Sequence, residues 1–237
     1  MQDHGDLVYL DVQKTGSSFV IGFLAASCKL PLRPSRHHAR VVGDYNRDAY
    51  YFATVRHPLS TYVSLFRYGA DGNGGIRKRI GRAGRAALYE RGFEPWLAFI
   101  FDDRNAHILR EDFEQMAGSG LGLVSFRFVS LSIANAMDVL PAARSLGEVR
   151  AIYDKHNLAR RVIRNEALNE GLHTLALEDV PQWFDADAAV AYLGTGSRVN
   201  VSTAPPPTLS SPDLSAELRR REALLFDLFY GDETALR

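Results

Sequence analysis

The start of the chain has the pattern of a buried strand, a short polar turn and a helix. Residues 7–12 are mostly apolar and include β-branched and aromatic side chains, which predicts a buried strand. The apolar residues that follow the turn have the i, i+3, i+4, i+7 spacing of one helical face: Ile21, Leu24, Ala25 and Cys28. The first turn of a helix presents unpaired N–H groups and the positive end of the helix dipole, so this junction predicts an anion site.

The side chains of the turn favour a phosphate or sulfate ester as the anion. Lys14 supplies a full positive charge, and Thr15, Ser17 and Ser18 supply hydroxyl donors around Gly16. This order differs from the loop of nucleotide triphosphatases, in which the lysine follows a glycine-rich arch; here Lys14 precedes the glycine. The alternative is an ordinary strand and capped helix with an exposed lysine.

Length and composition limit the class of protein. The 237 residues suffice for one sizeable α/β domain, and the 28 basic and 28 acidic side chains cancel. A neutral chain argues against general nucleic-acid binding, so anion recognition must be local. The single cysteine excludes an internal disulfide, and no apolar run has the roughly 20 residues that a membrane span needs. These features predict a cytoplasmic protein without a membrane span.

A second strand-to-helix junction follows. Residues 50–55 are aromatic and β-branched and predict another buried strand. Proline is well tolerated at the first position of a helix, so we expect a helix to begin near Pro58. Arg56 immediately precedes this helix, and Ser64 lies about two turns into it. A guanidinium and a hydroxyl at such a junction suit a phosphate group.

Both junctions resemble motifs of one enzyme family. Residues 14–18 after a strand resemble the 5′-phosphosulfate loop of sulfotransferases that use 3′-phosphoadenosine 5′-phosphosulfate (PAPS), and Arg56 with Ser64 resembles their 3′-phosphate motif. The family often has Asp or Asn where His57 stands and Arg where Thr61 stands, so contacts made by those two side chains are not carried over. The resemblance extends in order from Leu7 to Asp232, although the middle third matches poorly.

The resemblance implies a fold and an activity. The implied fold is α/β and P-loop-like, with a mostly parallel central sheet and helices on both faces in three layers, built as a single domain of residues 1–237. The implied reaction moves a sulfuryl group from PAPS to a hydroxyl or amine acceptor, a saccharide or a small metabolite, and leaves 3′-phosphoadenosine 5′-phosphate. The moving group carries less charge than a phosphoryl group, so no metal is required.

The family's residue roles carry over to matching positions. Lys14 would balance charge on the departing phosphate oxygen, while residues 15–18 hold the 5′-phosphosulfate through N–H groups and hydroxyls. Arg56 and Ser64 would bind the 3′-phosphate. Residues 194–202 resemble the C-terminal segment that closes over the nucleotide in Golgi-like and bacterial sulfotransferases, where Arg198 would add a second positive charge.

The acceptor must lose a proton, and a histidine that titrates near neutrality suits that task. His37-His38-Ala39-Arg40 resembles the segment that supplies a histidine base in the carbohydrate-modifying branch of the family, and His38 is the candidate. His37 is the close competitor, and Glu166 or another acid remains possible. A histidine packed in a loop is the non-catalytic alternative.

Two segments are ambiguous. Residues 69–92 alternate glycine with basic residues and predict a mobile basic loop or a weak helix. This segment is either a solvated face, or a lid or acceptor-binding wall that attracts an anionic substrate. Residues 124–129 are apolar enough for a strand or a buried helix.

Two other functions remain open at this stage. A nucleotide kinase or phosphatase with a degenerate phosphate loop would need a metal-binding acid at the end of the second strand, where Arg56 stands. A non-catalytic module that binds a phosphonucleotide or a sulfated glycan would keep the fold and show no turnover. No cluster with metal-ligand spacing is present in the sequence.

Overall fold

Four strands form one mixed sheet in the computed structural model, which describes residues 1–109, 111–195 and 206–231. The strands are β1 (Gln2–Asp3), β2 (Leu7–Leu10), β3 (Tyr50–Val55) and β4 (Ala159–Arg164), and they lie side by side in that order. β1 is antiparallel to β2, whereas β2, β3 and β4 are parallel. The predicted α/β class with a mostly parallel sheet is confirmed.

Helices make up most of the remaining described structure. The α-helices are α1 (Ser17–Ser27), α2 (Pro58–Ala70), α3 (Gly75–Arg82), α4 (Phe93–Phe101), α5 (Ala106–Leu109), α6 (Glu111–Glu114), α7 (Leu123–Ser132), α8 (Ala136–Val139), α9 (Leu146–His156), α10 (Leu168–Thr174), α11 (Ala186–Thr195), α12 (Pro212–Arg221) and α13 (Ala223–Leu225). Short π-helical turns extend α10 and α13, at Leu175–Asp179 and Phe226–Tyr230. No helix in the described ranges is long and apolar enough to cross a membrane.

The chain divides into two compact units. The first contains the sheet and the second is helical. The first unit consists of Met1–Arg56, Leu131–Ala136 and His156–Val201, and the second of His57–Ser130, Met137–Lys155 and Ser202–Arg237. This division does not test the prediction of a single domain over residues 1–237, which stays a prediction.

One face of the sheet carries the core of the first unit. Side chains alternate along a strand, so Leu7 and Tyr9 of β2 point to the same side, where they join Phe52 of β3 and Ile163 of β4. All four are buried, and they pack against α1, α10 and α11. The two predicted strands are confirmed, and the first ends at Leu10, two residues earlier than expected.

α1 buries a different face from the predicted one. Its buried residues are Phe19, Val20, Phe23, Leu24 and Ser27. Of the predicted set, Ala25 is exposed and Ile21 and Cys28 are half-buried, so the predicted face is wrong by part of a turn. Nearly every residue from 19 to 26 is apolar, so the spacing identifies the face poorly. The aromatic side chains determine which face of α1 is buried, because Phe19 packs on Tyr192 and Phe23 packs on Phe184.

The second unit has an aromatic core and one buried carboxylate. Rings of α2, α4 and the turn between α3 and α4 lie 5.6 to 6.4 Å apart: Tyr62, Phe66, Tyr89, Phe93 and Trp96. The carboxylate of Glu222 is fully buried, and it accepts hydrogen bonds from the hydroxyl of Tyr62 and from the backbone N–H groups of Val124 and Ser125. An acid at the start of α7 is stabilised by the helix dipole.

Both ambiguous segments are helical. The undecided run 124–129 lies inside α7. The basic segment 69–92 contains α3 and a 3₁₀ turn at Ala86–Tyr89, so the expectation of a loop is wrong and that of a helix is confirmed. Ile76 and Ile80 are buried one turn apart, which gives this glycine-rich helix an apolar anchor. The predicted helix start at Pro58 is confirmed.

Candidate functional site

The carboxyl ends of three parallel strands meet at one edge of the sheet. Leu10 of β2 pairs with Ala53 of β3, and Val55 of β3 pairs with Arg164 of β4. The segments that leave these strands therefore start side by side: the turn after β2, Arg56 after β3 and Asn165 after β4. Ligands of open α/β sheets bind at this edge.

The turn after β2 has the backbone of an anion-binding junction. Lys14 has φ of +67° and Gly16 has φ of +97°, both in the left-handed region, and α1 begins at the next residue, Ser17. The turn has no room for a larger residue at position 16, because an added Cβ would lie 2.6 Å from Nδ2 of Asn165. That nitrogen donates a hydrogen bond to the carbonyl oxygen of Thr15 at 3.1 Å. The first N–H groups of α1 have no partner within the helix.

A chain of hydroxyl groups fixes the turn to the sheet. Thr15 Oγ1 donates to the carbonyl oxygen of Val12 at 2.7 Å, so it accepts from Thr54 Oγ1 at 2.6 Å. Thr54 in turn accepts from the hydroxyl of Tyr9 at 2.7 Å. Ser17 Oγ also donates to Val12, at 2.9 Å.

These hydrogen bonds limit which of the predicted loop side chains can contact a ligand. The hydroxyls of Thr15 and Ser17 are engaged inside the protein, and Thr15 is buried. Of the predicted loop side chains, Ser18 is exposed and Lys14 is half-exposed.

A buried carboxylate lies immediately before the turn and binds two histidines. Asp11 is fully buried, and its Oδ2 accepts from Nδ1 of His37 at 3.1 Å and from the backbone N–H of His38 at 3.3 Å. Nδ1 of His38 lies 3.3 Å from Oδ1 of Asp11 and 2.8 Å from its carbonyl oxygen. His38 has φ of +54°, a left-handed conformation that is uncommon outside glycine. The structure therefore brings the two predicted histidines to the start of the predicted phosphate loop.

These contacts determine which nitrogen of His38 carries the proton. A carbonyl oxygen can only accept a hydrogen bond, so Nδ1 must donate. In the neutral ring Nε2 then has a free lone pair, and the side chain is about one-third exposed. His38 thus has the tautomer that a general base requires.

Asp11 and His38 stabilise one another's charged forms. Burial alone would lower the pKa of His38, but its hydrogen bonds to Asp11 and the charge of that carboxylate outweigh burial and raise the pKa. Burial alone would raise the pKa of Asp11, but hydrogen bonds, chiefly those from His38, outweigh it and hold the pKa well below its ordinary value. A carboxylate and an imidazolium side by side explain both directions.

The two residues predicted to bind the 3′-phosphate lie in different units. Arg56 follows β3 at the carboxyl edge, and Ser64 lies in the second turn of α2 on its half-buried side. Their convergence on one phosphate stays a prediction. Arg198, and with it most of the segment 194–202, lies outside the described residues.

Sequence reasoning missed Asp11. A signal was present, because an acid at the end of a buried strand and directly before a phosphate loop is unexpected for an anion site. The two histidines that form hydrogen bonds to it are 26 and 27 residues away along the chain, and only the folded loop brings them to it.

Comparison of the chain with protein-family models, with curated proteins and with solved structures gives no match. The described residues contain no group of three or more His, Cys, Asp or Glu side chains that could hold a metal ion. The geometry of the carboxyl edge is therefore the basis for any functional proposal.

Proposed function

We propose that this protein is a sulfotransferase that moves a sulfuryl group from PAPS to a hydroxyl or amine acceptor, a saccharide or a small metabolite. The observation that carries the proposal is the turn at Lys14–Gly16, a left-handed junction between a parallel strand and a helix, with the Asp11–His38 pair at its start. The turn supplies the anion site, and Asp11 at its start holds the oriented base His38 beside it. The proposal includes the finer fold, a P-loop-like sheet between two helical layers.

The turn at Lys14–Gly16 suits the sulfuryl donor, PAPS. PAPS supplies the sulfuryl group and, as the S–O bond to its 5′-phosphate breaks, a phosphate leaving group. The N–H groups at the start of α1 and the ammonium of Lys14 stabilise the negative charge that develops on that phosphate oxygen. Arg56 provides a guanidinium at the neighbouring strand end, which suits the 3′-phosphate that distinguishes PAPS from ATP.

His38 suits the role of the base that deprotonates the acceptor. As the acceptor oxygen forms its bond to sulfur, Nε2 of His38 takes the proton of the attacking hydroxyl. The ring becomes an imidazolium, and the carboxylate of Asp11 stabilises the new charge because it already lies 3.3 Å from Nδ1. Asp11 also fixes the tautomer through its carbonyl oxygen. His38 is a catalytic residue in this account, and Asp11 is a positioning residue.

Transfer of labelled sulfate from PAPS tests the proposal. The acceptor panel contains oligosaccharides, hydroxylated lipids and small alcohols and amines. We expect transfer to at least one class, and we expect His38→Ala to abolish it while His107→Ala, at an exposed histidine of the second unit, retains it.

Two results would contradict the proposal. Nucleotide binding without transfer to any acceptor identifies a binding module. Transfer of the γ-phosphoryl group of ATP identifies a kinase.

A further inference from the structure

The helix α3 carries a surface with a strong positive charge in a chain that is neutral overall. Between residues 77 and 91 the sequence has six basic side chains and one acidic side chain. Lys78, Arg82 and Arg85 are exposed, and we call these three residues the basic ridge. Lys78 and Arg82 are one turn apart on α3, and Arg85 follows its C-terminal end, where its N–H donates to the carbonyl oxygen of Ile80.

The stability of α3 does not explain the basic ridge. Lys78 lies in the first turn of α3, where the helix dipole favours acids, and like charges at i and i+4 oppose a helix. Arg82 in the last turn is favourable on the same argument. By contrast, Arg77 has a structural role, because its guanidinium lies 4.8 Å from the ring centre of Tyr89 and donates a hydrogen bond to the carbonyl oxygen of Ala86.

Among the residues that the structure describes, the three ridge residues take no part in an ion pair. Arg221 of the same unit is buried and pairs with Asp103 and Glu217, which shows how a structural arginine is accommodated here. Lys78, Arg82 and Arg85 have no comparable acidic partner in the described part of the chain. Three exposed and unneutralised cations in a row attract an anion with several charges.

We infer that the basic ridge binds an anionic polysaccharide that carries carboxylate or sulfate groups. The exposed residues between Gly75 and Ala87, apart from the ridge, are only glycine and alanine. They offer no ring for stacking on bases and no large apolar group for insertion into a membrane. Three cations are also few for duplex DNA, since non-specific binders neutralise about six to ten phosphates. A sugar chain with an anionic group on each ring matches cations one helical turn apart, and the guanidinium fork fits carboxylate and sulfate.

This inference goes beyond the proposed reaction, and binding can be measured without PAPS. The full chain is titrated with heparin, which carries both anionic groups, and with dextran, duplex DNA and phosphatidylserine vesicles at equal ionic strength. We expect saturable binding of heparin that is tighter than that of the other three. Raising NaCl from 50 to 200 mM should weaken it about fortyfold, the effect expected when roughly three anionic groups are neutralised.

Two triple variants give the matched comparison. Replacing Lys78, Arg82 and Arg85 by glutamine should weaken heparin binding at least tenfold. Replacing Lys29, Arg47 and Lys155, which are exposed elsewhere, removes the same charge and should leave it within twofold. Circular dichroism confirms that both variants fold. The inference is wrong if the two variants behave alike, if heparin does not bind, or if DNA or vesicles bind more tightly.

Discussion

Replacing Asp11 by asparagine keeps the shape of a buried side chain and removes its charge. Two hydrogen bonds reach Oδ2 of the carboxylate, from Nδ1 of His37 and from the backbone N–H of His38. Nδ1 of His38 donates to the carbonyl oxygen of Asp11 and lies 3.3 Å from Oδ1, so the imidazolium adds an ion pair. A hydrogen bond to a charged group contributes about 1.5–3 kcal/mol and a neutral one about 0.5–1.5 kcal/mol, so each contact loses about 1 kcal/mol. The side chain of His37 is 67% exposed, so its hydrogen bond to Asp11 contributes less to the free energy of unfolding. We therefore expect the free energy of unfolding to fall by about 2 kcal/mol.

The loss depends on pH in a way that the two pKa shifts define. The pKa of Asp11 is lowered in the folded protein, so its stabilisation is present above its unfolded pKa and is lost as pH falls through the folded pKa. The pKa of His38 is raised, so its stabilisation is present below its unfolded pKa of about 6.5 and is lost as pH rises through the folded pKa. The difference between wild type and Asp11→Asn is therefore largest between about pH 4 and pH 6.5.

Urea denaturation at pH 5.5 and pH 8.5 measures this difference. We expect the loss to be larger at pH 5.5, because the His38 imidazolium is then present to interact with the carboxylate. The matched control is Asp48→Asn at an exposed aspartate of the same unit, for which we expect a change below about 0.5 kcal/mol at either pH. Equal losses at the two pH values would show that the charges of Asp11 and His38 are not coupled.

Other parts of the account make further predictions. Thr54→Val removes the nearer acceptor of the buried Tyr9 hydroxyl, at 2.7 Å, and leaves only Ser17 Oγ at 3.4 Å, so it should lower the free energy of unfolding by about 2 kcal/mol in urea denaturation; a Thr54→Ser variant no more stable than the valine variant would contradict this. Burial raises the pKa of Glu222, so the folded protein favours the protonated form of this side chain. The contribution of Glu222 to the free energy of unfolding is therefore complete below about pH 4.5 and is lost as pH rises through the folded pKa. Unfolding of Glu222→Gln should therefore depend less on pH above 4.5, and an unchanged slope would refute the burial argument. Lys14→Ala should lower kcat of sulfate transfer about 10²–10³-fold with little loss of nucleotide affinity. Arg56→Ala should mainly weaken binding of 3′-phosphorylated nucleotides, and unchanged affinity would remove the 3′-phosphate assignment.

Local features of the sequence predicted the framework of the sheet. β3 has the predicted ends, Tyr50 and Val55, because its aromatic and β-branched run begins after Ala49 and is followed by Arg56. The start of α2 at Pro58 follows from the fixed φ of proline. The junction at Gly16 was predictable because only a short segment separates the strand from the glycine, and the helix begins at the next residue.

Features that depend on contacts between distant residues were not predictable. The Thr15 hydroxyl binds Thr54, 39 residues away, so no local pattern shows that it is withheld from a ligand. The position of His38 beside Asp11 depends on how the loop after α1 folds back. β1 has only two residues and no periodicity to detect. The buried face of α1 depends on which rings its neighbours offer.

The central claim is that the carboxyl edge of the sheet binds a nucleotide with both a 5′-phosphate and a 3′-phosphate. Isothermal titration calorimetry with adenosine 3′,5′-bisphosphate and with ATP tests it most directly. The account predicts that the bisphosphate binds more tightly than ATP in the absence of metal ions, and that Arg56→Ala removes most of this preference. Binding of ATP as tight as that of the bisphosphate, or no binding of the bisphosphate, would contradict it.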